Sequence, residues 1–502
     1  NVVVSEILDT ELIGEGVLET MRHARDNLMA VKDAVAIPAS ATVHVQLVES
    51  TMLNKWRSLD GATAGRCTLR PGYCKGTNVA AQSVHAGPLQ QHLTPLSTPA
   101  TAHYFDLSDP QLSGTSSISI TATRTGTAHA ILFWWVAALD DTNSISTAPP
   151  WIDGSADRNW RDHWTQAVHL LPNPVILAEG DDITVTTYHD EYSIWFDVAC
   201  KSQSENTSGY LKLDSCITQT PCRESPPISL ERPMCNCNAH LVWNTTRIWQ
   251  LNDSIREQKF ATLINRILDG KIYRDTSHQP HSDNCIIALG DGGYLGLMMA
   301  GELLHRTKVS DNSINQTMQP LSESILPKVI TLESSMMSKR LVDKLIVKNK
   351  VSGILTLLDK TVDDLNVDDL KGRRLHAVIA EPYFYNALLP WHGLQFWYAY
   401  RQLVKMATSK GWPSPILSPK NATLICTIVE FENYHKTQMK VGSVAGFDLS
   451  AYDKITKRGS DACGLDGPVS SWEFPHRYLC RPTPLLTFNF SAEVMDVDKS
   501  VR

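Results

Sequence analysis

Long apolar stretches are missing from this sequence. No apolar run in its 502 residues reaches the roughly 18 that a membrane span needs, and no secretory signal is apparent. The Asn-x-Ser/Thr sequons at Asn244 and Asn421 are therefore taken as chance. A dense, regular cysteine framework is also missing. The 11 cysteines are an odd number scattered along the chain, which points to reduced thiols and a cytoplasmic or nuclear setting. Nor is there an excess of positive charge. The net charge of −7 argues against a general nucleic-acid binder, which needs a basic face for phosphates, and suits basic partners such as Arg-rich tails. An initial Met is absent too: Asn1 leads straight into Val2-Val3-Val4, as if the chain opened inside a core sheet. The expectation is a piece truncated at both ends.

What is present is ordinary globular protein. A hydrophobic fraction of 42% and a charged fraction of 20% exclude global disorder, and the length calls for two or three domains. The chain also repeats itself. Residues 38–49 (PASATVHVQLVE) and 419–430 (PKNATLICTIVE) share Pro, Ala-Thr and a strand-like run closing on Val-Glu, 381 residues apart. Upstream of each, an apolar strand ends on a glutamate, Glu6 and Glu381, 375 residues apart. Two features at nearly equal offset indicate two copies of one large module.

Within the first copy, apolar spacing predicts a helix over 16–34. Alternating strands follow at Thr42–Val48, Ser117–Ala122, Ala128–Trp135 and Ile183–His189, the pattern of an antiparallel barrel or sandwich. Residues 50–100 fit no period and read as a surface insertion. The Pro-rich stretch Thr218–Pro233 reads as linker. A helix over about Asn252–Leu268 then precedes strands at Cys285–Leu289, Lys328–Leu332, Val351–Leu358 and Leu375–Ala380, the alternation of a parallel α/β sheet. From about 419 a second β-rich region begins.

Four segments carry candidate chemistry. SEILDTELIGE (5–15) crowds Glu6, Asp9, Glu11 and Glu15 behind a strand end, where open α/β sheets bind ligands; like charges so close call for a cation. RDHWTQAVHLLP (161–172) offers Asp162, His163 and Trp164, and the strand GTAHAILFWW (126–135) reads as aromatic core. GDGGYLG (290–296) is a glycine-rich turn after a strand, with Glu333 ending the next strand as an acid for a ribose diol would. Cys235, Cys237 and His240 are three metal-type ligands at tight spacing.

The pair Glu6 and Glu15 resembles the double-glutamate loop of protein arginine N-methyltransferases. DTELIGEG (9–16) and Asp162-His163-Trp164 are similar to that family's two-module, monomethylating (type III) form, with Asp where other members have Thr. The resemblance covers nearly the whole chain. It implies an α/β plus β fold: tandem methyltransferase modules, each a Rossmann-like S-adenosylmethionine domain followed by a β-barrel. The domains expected are residues 1–36 (the end of the first Rossmann-like domain), 37–225 (first barrel), 226–250 (linker), 251–415 (second, degenerate Rossmann-like domain) and 416–502 (start of a second barrel). It further implies transfer of methyl from S-adenosylmethionine to the arginines of proteins such as histones and RNA-associated proteins, with monomethylarginine as the main product. Glu6 and Glu15 would be catalytic. His163, Trp164 and Asp162 would close the substrate pocket.

The first module's own glycine-rich turn and ribose acid would precede Asn1, so the chain alone is expected to be inactive. The second module has Gly290, Gly292 and Glu333 as candidate cofactor residues. However, Pro390 stands where a second glutamate belongs, and that module is read as a pseudoenzyme half forming an intramolecular pseudo-dimer with the first. Some family members have a zinc site at this junction. Residues 440–446 hold no cysteine to complete it here, so no metal is assigned. Neither direct nucleic-acid nor membrane binding is expected. The competing reading is a non-catalytic scaffold that binds Arg-rich partners through the acidic loop.

Overall fold

The computed structural model describes residues 2–29, 34–72, 74, 81–153, 163–201, 232–270, 283–312, 326–381, 395–434, 439–463 and 472–491. The strand Val2–Val4 pairs in parallel with Val35–Ile37. Between them, the helix expected over 16–34 forms at Val17–Asn27. Its Val17, Leu18, Met21 and Ala24 are buried on one face, the spacing that packs a helix against a core.

Among the described residues of 40–201, two larger antiparallel sheets share a core. In the larger, strand Gly126–Ala138 lies between Ser40–Glu49 and Gln166–Leu177. In the smaller, Asp182–His189 lies between Gly114–Thr121 and Ile194–Lys201. Gly126–Ala138 is buried on both faces. Ile131, Phe133 and Trp135 enter the core between the sheets. Leu132 and Trp134 pack in a separate cluster with Leu53 and Trp56 of helix Thr51–Arg57. Leu8, Leu12, Ile13 and Leu18 join the core between the sheets, so the acidic loop and its helix are anchored to the barrel. Full burial of each such side chain stabilises by about 1.5–3 kcal/mol.

The second half contains a five-stranded parallel sheet. Its spatial order is Leu355–Leu358, Lys328–Leu332, Asn284–Leu289, Arg374–Ala380 and Ile416–Ser418. Helices Tyr294–Asn312 and Met336–Asn349 cover it. Arg374–Ala380 pairs in parallel with Ile416–Ser418 just as Val2–Val4 pairs with Val35–Ile37, and each pair leads into an antiparallel strand beyond a proline. The two strand pairs thus share a parallel pairing and an exit beyond a proline. Beyond Pro419, strand Asn421–Cys426 pairs with Thr483–Asn489.

Two segments differ from their sequence reading. Residues 50–100 are not a surface insertion. Leu59, Ala62, Ala64, Cys67 and Leu69 are buried in the core of the second half. Glu257 accepts from Thr63 Oγ1 at 2.5 Å and from the Gly65 amide at 2.9 Å, and Asn349 exchanges bonds with the Thr68 backbone at 2.8 and 2.9 Å. This arm lacks a period because its one regular element is the short hairpin of Thr63–Ala64 with Cys67–Thr68, and its further contacts are with distant chain. Likewise, residues 239–250 are not free linker. Helices Ala239–Val242 and Thr245–Leu251 bury Trp243 and Arg247 completely. Residues 218–231 of the expected linker lie outside the described residues. Among the described residues no helix is long and apolar enough to cross a membrane.

Candidate functional site

The loop from Ser5 to Gly16 carries the four carboxylates, and their surroundings separate them into two kinds. Glu6 and Glu15 are exposed, whereas Asp9 and Glu11 are partly buried. Asp9 Oδ1 accepts from the Gly14 amide at 3.0 Å. A side chain at Gly14 would run into the Asp9 carboxylate, so a glycine is needed there. Burial raises the Asp9 pKa, and the nearby Glu15 charge adds to the rise. Glu11 is pushed up to about 7, chiefly by burial and then by the Asp9 charge, with Arg232 and backbone amides opposing. Directly after Glu11, Leu12 is fully buried with φ of 77°, a left-handed conformation that costs a non-glycine residue on the order of 1–3 kcal/mol. Asp9 and Glu11 therefore shape the loop, while Glu6 and Glu15 are left facing solvent.

Two indoles from the barrel hold that shape. Trp164 Nε1 donates to the Leu8 carbonyl at 2.8 Å and Trp135 Nε1 to the Asp9 carbonyl at 2.9 Å. The two rings meet edge to face with centroids 5.3 Å apart. His163 Nε2 lies 3.9 Å from Glu6 Oε1, an attraction that requires the imidazole to be protonated. Of the expected site residues, the structure thus brings Glu6, His163 and Trp164 together at the loop; Asp162 lies outside the described residues. The sequence reading placed Trp135 among core aromatics and missed its second role. Only the position of its N–H reveals that role, and periodicity carries no trace of it.

The second half presents a different arrangement around Glu381, the expected counterpart of Glu6. Here the glutamate is buried and takes a fork of bonds from Arg247: Nη1 to Oε1 at 2.5 Å and Nη2 to Oε2 at 2.6 Å. Arg256 also pairs with Glu381. The Asn244 and Asp253 side chains cap the two helices that deliver these arginines. Both guanidinium groups lie by the Tyr294 ring, at 5.9 and 5.1 Å from its centroid. Burial, with the Arg247 charge, lowers the Arg256 pKa to about 10. The expected counterpart of Glu15, position 390, lies outside the described residues.

Gly290 and Gly292 have φ of 144° and 71°, as a close-approach turn requires. What approaches Gly292, however, is the Trp243 indole, which any side chain there would strike. The space bounded by Gly290, Gly293, Tyr294, Thr331 and Glu381 leaves no room for a water-sized sphere. The residues expected to hold a whole S-adenosylmethionine in this half therefore do not fit it.

At the junction of the halves, Cys74, Cys235, Cys237 and His240 place their ligand atoms within 4.8 Å of one another. A fourth ligand-type side chain, which residues 440–446 lack, is Cys74, 161 residues upstream of Cys235 in sequence but adjacent in space, so four metal-type side chains converge where the sequence reading counted three. Cys237 Sγ lies 3.6 Å from Cys235 Sγ and 3.3 Å from His240 Nδ1. Tetrahedral zinc with Zn–S of 2.3 Å would set sulfurs about 3.8 Å apart. His240 Nε2 lies 3.1 Å from the Arg57 carbonyl; a proton there leaves Nδ1 as the ligand atom, the usual outer bond of a metal-bound imidazole.

Comparison with known proteins follows these features. Residues 39–203 match the family model of the arginine methyltransferase oligomerization subdomain. Over nearly its whole length the chain is similar to protein arginine methyltransferases. Over 98% of its length it is 30% identical to protein arginine N-methyltransferase 7 of Danio rerio and 31% identical to that of Xenopus laevis. It is 29% identical to that of Rattus norvegicus over the same share. The chain spans 65% of the length of each of these relatives. A solved structure, the Trypanosoma brucei PRMT1 enzyme-prozyme heterotetrameric complex with AdoHcy, matches 40% of this chain and 70% of its own at 15% identity and a TM-score of 0.27, a likeness too slight to inform the fold.

Proposed function

We propose that this chain carries the arginine-binding site of an S-adenosylmethionine-dependent protein arginine methyltransferase. The observation that carries the reading is the Ser5–Gly16 loop, which leaves two glutamates exposed while barrel indoles fix its backbone from below. A guanidinium is cationic at any working pH and offers planar donors that match carboxylates. Glu6 and Glu15 would hold it still and draw its charge toward the nitrogens they grip, leaving the remaining terminal nitrogen oriented for reaction. Most of the acceleration then comes from orientation and charge placement. S-adenosylmethionine, when bound, would supply a sulfonium methyl group as the electrophile for that nitrogen, with the sulfur as leaving group. His163 orients Glu6, and either glutamate can accept the departing proton.

The finer reading is of two methyltransferase modules in tandem, with the second a pseudoenzyme that braces the first as an intramolecular pseudo-dimer. The arm at 59–69, seated in the second half's core, supports it. The substrates proposed are Arg-rich proteins such as histones and RNA-associated proteins in cytoplasm and nucleus, with monomethylarginine as the main product. A structural zinc ion at Cys74, Cys235, Cys237 and His240 completes the proposal.

The test is methyl transfer to an Arg-rich peptide, measured on the full-length protein with Glu6→Gln and Glu15→Gln. Each is expected to reduce turnover at least 100-fold while binding of S-adenosylmethionine survives, on the order expected for losing a charged transition-state contact. Retained turnover in either variant would remove that carboxylate from the mechanism.

A further inference from the structure

Trp135 and Trp164 grip the acidic loop at Asp9 and Leu8, on the side of Glu6. Glu15 stands at the loop's other end, where a different part of the barrel reaches it. We infer that Tyr192, on the turn between strands Asp182–His189 and Ile194–Lys201, is a positioning residue for Glu15. This role rests on the proposed reading of Glu15 as a carboxylate that grips the substrate's guanidinium.

Glu15 is followed by Gly16, which has φ of 84° and opens helix Val17–Asn27 with no side-chain cap. The Gly16 amide donates to the Ile13 carbonyl at 3.0 Å, and the Thr20 amide donates to the Gly16 carbonyl at 3.1 Å. A β-carbon at Gly16 would lie 3.1 Å from Tyr192 Cε1, so the ring covers the glycine directly. Glycine has the widest choice of backbone conformations, and the direction of Glu15 depends on the one taken here. A ring pressed on Gly16 removes that choice.

The phenol also binds the helix. Tyr192 Oη donates to Glu19 Oε2, in the first helical turn. Glu19 is an exposed carboxylate four residues after Glu15, and left unbonded it would be a rival for a cationic guanidinium. The bond commits Glu19 to the barrel and leaves Glu15 to the substrate. That same hydrogen bond, with the Glu19 charge, raises the Tyr192 pKa above its ordinary value of 10, so the phenol stays a donor near neutral pH.

The turn that carries Tyr192 is itself fixed. Asp190 Oδ1 accepts from the Tyr192 and Ser193 amides at 2.9 and 2.8 Å, and Ser193 Oγ accepts from Arg232 Nη1 at 2.9 Å. Tyr192 is 46% exposed, so its removal should cost the fold little while freeing Gly16.

The experiment is methyl transfer to an Arg-rich peptide by the full-length protein carrying Tyr192→Phe, Tyr192→Ala, Glu15→Gln or Tyr192→Ala/Glu15→Gln. Binding of S-adenosylmethionine and circular dichroism are measured on each, and Tyr192→Leu replaces Tyr192→Ala should the latter not fold. Tyr192→Ala is expected to lower kcat at least about 10-fold, with KM for the peptide and affinity for S-adenosylmethionine each within about 3-fold of the parent. Tyr192→Phe keeps the ring on Gly16 and should lose only about 3-fold. In the Glu15→Gln background the Tyr192→Ala change should cost less than about 2-fold, because its effect runs through the Glu15 carboxylate. An unchanged kcat in Tyr192→Ala would overturn the role, as would an equal loss with and without that carboxylate. Full turnover in Glu15→Gln would instead remove the gripping role of Glu15, and the role of Tyr192 with it.

Discussion

Replacing Arg247 with Met would test whether the clasp on Glu381 holds the second half together. The two side chains are 1% and 4% exposed, and the fork between them is closed at 2.5 and 2.6 Å. Removing one partner of a buried pair leaves the other charge unpaired, which costs about 3–5 kcal/mol. Arg256 still pairs with Glu381, so the low end, about 3 kcal/mol, is expected. For a unit of 150–250 residues each kcal/mol lowers Tm by roughly 2–4 °C, giving a fall of about 6–12 °C by scanning calorimetry. Glu381→Leu alone should be at least as damaging, because it strands Arg247 in the core. The double variant Arg247→Met/Glu381→Leu removes both charges and should recover most of the loss. Arg256 can then turn its partly exposed head toward water while its guanidinium rests near Phe260, now 5.0 Å from that ring. Coupling of at least about 2 kcal/mol is therefore expected in the cycle. Additive losses, or a cost below about 1 kcal/mol for Arg247→Met, would refute the view that this pair is a closed internal substitute for a bound arginine.

Two further outcomes follow from the same surroundings. Glu11, whose pKa rises from 4.5 to about 7, binds its proton more tightly folded than unfolded. Its contribution to stability is therefore fully present below about pH 4.5 and lost as pH rises through about 7. Chemical denaturation of Glu11→Gln, compared with the parent across pH 4 to 8, should remove that part of the slope; an unchanged slope would place the titration elsewhere. At the junction, the purified protein should carry one zinc per chain by elemental analysis, and chelation should lower Tm. Cys74→Ser should weaken zinc retention as much as Cys237→Ser does, and full retention in Cys74→Ser would exclude Cys74 as a ligand.

Much of the fold was legible because local pattern and tertiary demand agree. Strand Lys328–Leu332 and helix Ser254–Leu268 stand where the sequence pattern places them. The Pro-Ala-Thr repeat marks two strands that leave parallel pairs in the same way. Legibility fails where a residue's partner lies far along the chain. Cys67 and Thr68 look like polar loop until Leu297 and Asn349 are beside them. Cys74 looks like a stray thiol until Cys235 and His240 close around it. The acidic loop falls between these cases. Its four carboxylates are plain in the sequence, but nothing in their spacing says which are free. That division is made by the barrel, whose Trp135 and Trp164 seize the backbone at Asp9 and Leu8 and turn Asp9 and Glu11 inward. In the second half the same strand end carries Glu381, and there the glutamate is occupied from within by Arg247. Glu6 is exposed behind its strand, whereas Glu381 is clasped behind its own. What separates them is whether the chain supplies its own guanidinium, and that choice was made in the segment the sequence had presented as linker.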